Sequence, residues 1–167
     1  MRYFRSVVAC ALLALPLLAW SQQVPDVTLQ TIDGQDVNLR SFIGKGPVQF
    51  SFWALWCEPC KQELKVMTKV YDALADSGYT LVGICEDNQK SIAKVKGYAS
   101  AKGWKFTILL DPNGDAMRLL NGQTIPFSVL ADKEGKVAST HVGYVAGDEV
   151  GIEKEIRALL PKSGGTK

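Results

Sequence analysis

The chain contains a single histidine, His141, and no second Cys-x-x-Cys pair beside Cys57 and Cys60. A structural zinc site needs four nitrogen or sulfur ligands at characteristic spacings; one Cys-x-x-Cys looks like half of such a site, but a single distant His does not supply the other half, and no metal is expected. Net charge is also lacking. The formal +2 comes from Arg2 and Arg5, and the chain after residue 21 carries 17 basic and 17 acidic residues. A neutral domain gives no electrostatic case for nucleic acid or for a polybasic membrane surface. Internal repeats and low-complexity blocks are absent. What remains is 47% apolar and 22% charged, the composition of one soluble domain with a buried core.

The first 21 residues contain no Asp or Glu. A short basic start, Met1 to Arg5, precedes the uncharged, mostly apolar run Ser6 to Trp20. That run is short against the ~20 residues needed to span a bilayer. Ala19-Trp20-Ser21 supplies small residues at the spacing a secretory peptidase requires. An export signal over residues 1–21 is therefore expected, with an uncleaved anchor as the alternative. Val7-Val8-Ala9-Cys10 ends like a lipobox, but it precedes most of the apolar stretch. The expected organisation is a single domain over residues 22–162, a frayed tail over 163–167, and an extracytoplasmic location. Of four cysteines, Cys10 leaves with the signal. Three remain, an odd number that poorly suits a framework of structural bridges.

Strand and helix patterns alternate, which predicts an α/β fold. Val27–Gln30 and Asp36–Leu39 flank Asp33-Gly34 as a hairpin. Val48–Trp53, Tyr79–Ile84, Phe106–Leu110, Phe127–Leu130 and Val137–Val142 read as strands. Helices are predicted over Pro59–Ala75, Ser91–Lys102, Ala116–Leu120 and Asp148–Leu160. In the first of them Leu64, Met67, Val70, Tyr71 and Leu74 form one apolar stripe.

Cys57-Glu58-Pro59-Cys60 falls between a buried-type strand and that amphipathic helix. Backbone N–H groups and the helix dipole at such a terminus favour an anion, and the thiolate is the nucleophile of disulfide exchange. A cysteine so placed can ionise at about 3.5–7.5, against about 8.5 for a free one. Pro59 suits the first turn, where a missing N–H costs nothing. Cys60 lies one helical turn further in. It is placed to resolve a mixed disulfide formed at Cys57, and no cofactor is needed. The oxidised pair must then be reduced by another protein.

The run Trp53-Ala-Leu-Trp-Cys-Glu-Pro-Cys-Lys-Gln-Glu63 resembles the active-site signature of the TlpA/ResA/DsbE group, extracytoplasmic reductases of the thioredoxin superfamily. The resemblance extends from about Val24 to Leu160. It implies a thioredoxin-like fold with an N-terminal β-hairpin and a central helix–strand insertion, here Glu86 to Leu110. It implies client protein disulfides as substrates, with the Cys pairs of an apocytochrome c as one possible client. A membrane thiol–disulfide reductant would recycle the protein, which is expected to be a monomer. By the same resemblance Pro126 follows a cis bond and faces the cysteines, and Ile125 pairs with substrate backbone. Trp56 lies over the site as an apolar contact, and Glu58 and Pro59 sit beside the reactive sulfur. Thioredoxins proper carry a buried Asp six residues before the first cysteine, where this chain has Ser51. Glu86 then takes the place of the proton relay that tunes Cys60. One departure is Lys65, which stands where the group often has a proline.

The nearest rival is a disulfide oxidase or isomerase of the same fold, which the reduction potential of the Cys57–Cys60 pair separates from a reductase. Two further readings have weak support. Peroxiredoxins share the hairpin but carry Thr three residues before the reactive cysteine, where this chain has Ala54. Copper metallochaperones of this fold typically place three residues between the cysteines and add a distal His, for which His141 is the sole candidate. Cys85 reads as a buried small hydrophobe, Trp53 as core and His141 as a strand-surface residue. Alternation along a strand predicts that Cys85 and Glu86 face opposite sides.

Overall fold

The computed structural model describes residues 22–161. The expected signal over 1–21, Cys10 and the tail over 163–167 lie outside the described residues. A seven-stranded sheet runs through the described chain in the order β2-β1-β5-β4-β3-β6-β7. The strands are β1 (Thr28–Thr31), β2 (Asp36–Asn38), β3 (Val48–Trp53), β4 (Thr80–Cys85), β5 (Thr107–Leu110), β6 (Phe127–Ala131) and β7 (Val137–Val142). The helices are α1 (Glu58–Leu74), α2 (Ile92–Ala101), α3 (Asp115–Leu119) and α4 (Asp148–Leu159). None of the described helices is long and apolar enough to cross a membrane.

β3, β4 and β5 are parallel neighbours, joined by crossovers through α1 and α2. Residues of β3 are buried along its whole length, as expected for a central strand covered on both faces. On one face Leu64, Met67 and Val70 of α1 pack with Val95 and Ala99 of α2 and Ile152 and Ile156 of α4. On the other, Phe50, Phe52 and Ile84 meet Met117 and Leu120 beside α3, together with Leu29 and Leu39. β6 and β7 extend the sheet as an antiparallel hairpin. β1 joins the opposite side, antiparallel to β5 through Gln30↔Leu110 and Thr31↔Leu109.

The structure agrees with the thioredoxin-like α/β fold expected from the sequence, with most element ends shifted by one residue, and one of these shifts buries a side chain. β2 stops at Asn38, one residue before the expected Leu39. The Asn38 side chain accepts the Arg40 N–H at 2.9 Å and so caps a 3-10 turn. That turn buries Leu39 completely, which an extended strand would have left at the sheet edge. α1 runs uninterrupted for 17 residues, with Lys65 in its middle in place of a kinking proline.

One close approach fixes how α1 returns to the sheet. A Cβ on Gly46, just before β3, would lie 2.5 Å from the carbonyl oxygen of Gly78. Gly78 itself has φ +99° and ends the turn after α1. Two glycines at this crossing let backbone meet backbone where no side chain fits.

Candidate active site

The disulfide loop leaves the carboxyl end of β3, the usual place for a site in an open α/β sheet. After Trp53 the chain turns, and the Cys57 N–H donates to the carbonyl of Ala54 at 3.1 Å. Cys57 then takes an extended conformation as the N-cap of α1, and its Sγ accepts the Cys60 N–H at 3.3 Å. The two cysteines are joined in a disulfide. Both are buried, Cys60 more deeply than Cys57. Pro59 occupies the first turn of the helix. Glu58 is exposed and pairs with Lys61 at 2.6 Å, a surface contact of small energetic weight.

Trp56 presents 71% of its surface to solvent directly before Cys57. The register Phe52↔Phe127 sets Pro126 level with Trp53, at the end of β3 from which the disulfide loop departs. The Ile125–Pro126 bond is cis. The carbonyl of Pro126 accepts the Gly143 N–H at 2.8 Å, which ties the loop after β7 to the same face. A groove brings together Trp56, Glu86, Met117, Gln123, Thr124 and Ile125. Five of the residues singled out in the sequence (Trp56, Cys57, Glu86, Ile125 and Pro126) thus converge from three separate segments.

Alternation at the end of β4 separates Cys85 from Glu86. Cys85 packs in the cluster that contains Cys57 and Cys60, and burial pushes its thiol up to about 12. It is an inert packing group at neutral pH. Glu86 points toward Gly114 and Asp111 on the other side. Burial, followed by the charge of Asp111 and a hydrogen bond with it, pushes the Glu86 carboxyl up to about 8. Asp111 is itself committed, since its two oxygens accept the N–H groups of Asp115 and Met117 at the start of α3. Glu86 is therefore mostly protonated at neutral pH.

A second carboxyl, which sequence reasoning passed over, lies behind the disulfide. Glu63 is three residues beyond Cys60, on the same buried face of α1, and is only 2% exposed. Burial pushes it up to about 7, against an opposing pull from the hydroxyls of Ser128 and Ser51. These serines are cross-strand partners on β6 and β3. The Glu63 Oε1 has no hydrogen-bond partner. A charged residue interrupting the apolar stripe between Cys60 and Leu64 was the available signal.

The remaining candidates are structural. Trp53 is fully buried and packs edge-on against Trp104 at 5.1 Å. His141 is half-buried and faces α4, its Nε2 3.0 Å from Glu155 Oε2. Among the described residues no three His, Cys, Asp or Glu side chains gather as metal ligands.

The profile of the AhpC/TSA family matches residues 20–140 of this chain. The thioredoxin-like protein YneN of Bacillus subtilis is 32% identical over 129 residues, 77% of this chain and 75% of that protein. The thiol-disulfide oxidoreductase ResA of Bacillus thuringiensis is 26% identical over 140 residues, 84% of this chain and 78% of its own. Among solved structures, a thioredoxin-family thiol:disulfide interchange protein from Chlorobium tepidum superposes with a TM-score of 0.72. It is 26% identical, and the match covers 86% of this chain and 99% of that one.

Proposed function

The chain belongs to the AhpC/TSA family, and from that premise we propose that it is an extracytoplasmic thiol–disulfide oxidoreductase working as a reductant of client protein disulfides. The observation that carries this is the placement of Cys57 as the cap of α1, with Cys60 buried one turn behind it. In the reduced protein the Cys60 N–H and the helix terminus stabilise negative charge on the Cys57 sulfur. That thiolate attacks a client disulfide and one client sulfur leaves as a thiolate. Cys60 then attacks the Cys57 sulfur, closing the Cys57–Cys60 bridge and releasing the second client sulfur. Two electrons have passed to the client, whose two sulfurs leave as thiolates and take their protons from solvent.

Cys60 must lose its proton to act, and it is shielded from water. Glu63, with a carboxyl poised near neutrality on the same buried helix face, accepts that proton. Glu86 serves the groove side, holding a proton beside Trp56 and Ile125. The client strand lies along Ile125 and Pro126, pairing with backbone, and rests on Trp56 with Glu58 and Pro59 at its edge. A membrane thiol–disulfide reductant restores the dithiol, and the protein acts as a monomer exported by its N-terminal segment. Apocytochrome c, with paired cysteines before haem attachment, is one client class that fits this chemistry. A peroxidase reading finds no hydroxyl three residues before Cys57, where Ala54 is fully buried.

The test is the Cys60→Ser variant mixed with a synthetic Cys-x-x-Cys-His peptide in its disulfide form. A stable mixed disulfide at Cys57 is expected, while the reduced wild-type chain should release the peptide as a dithiol. A Cys57–Cys60 potential near the ~−120 mV of strong oxidants would sink the reductive direction.

A further inference from the structure

The turn Ala54–Trp56 carries the nucleophile and its aromatic neighbour, and its backbone is held from outside. The Leu55 N–H, which has no strand or helix partner, donates to Asp87 Oδ2 at 2.6 Å. Buried backbone donors are nearly always satisfied, and here the partner is a carboxyl 32 residues away in sequence. Asp87 is only 7% exposed. The same oxygen lies 3.4 Å from the Cys85 sulfur, whose S–H points to it. The backbone beneath Asp87 is fixed on both sides. Glu86 N–H donates to the carbonyl of Trp53 at 2.9 Å, and Asp111 N–H donates to that of Cys85 at 2.8 Å.

We infer that Asp87 is the positioning residue of the disulfide loop, holding Leu55 so that Trp56 and Cys57 keep their place at the head of α1. A charge-assisted hydrogen bond to a main-chain donor is short and directional. It acts on the residue next to Trp56 and two before Cys57, so a shift there moves both the docking surface and the sulfur. The Ala54–Cys57 hydrogen bond closes the turn internally but does not tie it to the rest of the sheet. The Asp87 contact does, and it makes the end of β4 a fixed support for the site. Glu86 and Asp87 thus have divided roles, one in the groove and one under the loop. The functional part of this inference rests on the disulfide-exchange reading above; the Leu55 contact does not.

Amide hydrogen exchange of Leu55 in the folded, oxidised whole chain tests the contact directly. Protection is expected in the wild type, in Cys85→Ala and in Asp87→Asn, whose amide oxygen can still accept. Asp87→Ala should lose at least tenfold of that protection while amides of β3 keep theirs. With the reduced proteins and the disulfide peptide, Asp87→Ala should lower kcat/KM roughly tenfold and Asp87→Asn should restore most of it. An unprotected Leu55 amide in the wild type overturns the inference, a measurement that stands even if Asp87→Ala does not fold. So does a folded Asp87→Asn as impaired as Asp87→Ala. If Leu55 protection depends on Asp87 but no variant or wild type reduces the peptide, the positioning role stands and the functional reading falls.

Discussion

The sulfur of Cys57 accepts the backbone N–H of Cys60 at 3.3 Å, so the candidate nucleophile is itself the N-cap of α1. Capping and reactivity share one atom. Replacements of Cys57 therefore divide by what they leave at the cap. Cys57→Ser and Cys57→Ala should both abolish exchange with a peptide disulfide. Serine is a good N-cap and alanine is not, a difference of about 1 kcal/mol. Urea unfolding of the two variants, neither of which can form the bridge, should show Cys57→Ser the more stable by that amount.

Glu63 makes stability depend on pH in a definite direction. Its folded value of about 7 lies above the ordinary 4.5, so the folded state holds the proton more tightly. Its contribution is fully present below pH ~4.5 and is lost as pH rises through 7. The full span is about 3 kcal/mol by linkage. Glu86, raised to about 8, acts in the same sense, but its partial exposure reduces its share. Denaturant unfolding of the oxidised protein from pH 5 to 8.5 should show this decline, and Glu63→Gln should flatten most of it. The same variant should slow resolution of the mixed disulfide and remove the inflection near neutrality from its pH–rate profile.

Trp56 should separate binding from stability. It is 71% exposed, and surface substitutions usually change stability by less than about 0.5 kcal/mol. Trp56→Ala is expected to leave thermal unfolding unchanged and to raise KM for the disulfide peptide several-fold. The rate with a small aliphatic disulfide, which needs no docking surface, should change little.

Much of the architecture was legible from local pattern. The strand and helix positions follow from apolar periodicity, and the cis bond at Pro126 and the cap position of Cys57 follow from the motif context. Glu63 was only half legible. Its spacing from Cys60 and Met67 puts a charge on the apolar stripe of α1, but no local pattern says what would accommodate a carboxyl there. It is buried because Ser51 and Ser128, on strands far apart in the chain, come together as a polar spot under α1. Asp87 was hidden for the same reason, since its partner Leu55 becomes adjacent only when β3 and β4 pair.

Glycines at two positions should respond oppositely to alanine. At Gly46 the added Cβ meets the Gly78 carbonyl oxygen at 2.5 Å, and backbone cannot move aside as a side chain does. A loss of at least 1–3 kcal/mol, typical of overpacking, is expected for Gly46→Ala. Gly97 lies within α2 with nothing within 4 Å of an added Cβ. Gly97→Ala should gain about 0.5–1 kcal/mol from helix propensity and reduced unfolded-state freedom. Thermal melts of the two variants check both signs.

The β1–β2 hairpin docks on the sheet through β5, where Gln30 meets Leu110. Some eighty residues separate these partners, so the hairpin is synthesised early but has no place to settle until β5 exists. Local contacts form before distant ones, and β3, α1 and β4 can assemble without it. The first of the described strands is thus among the last to be seated, and the growing chain must carry an unpaired β1 edge while some eighty further residues are added.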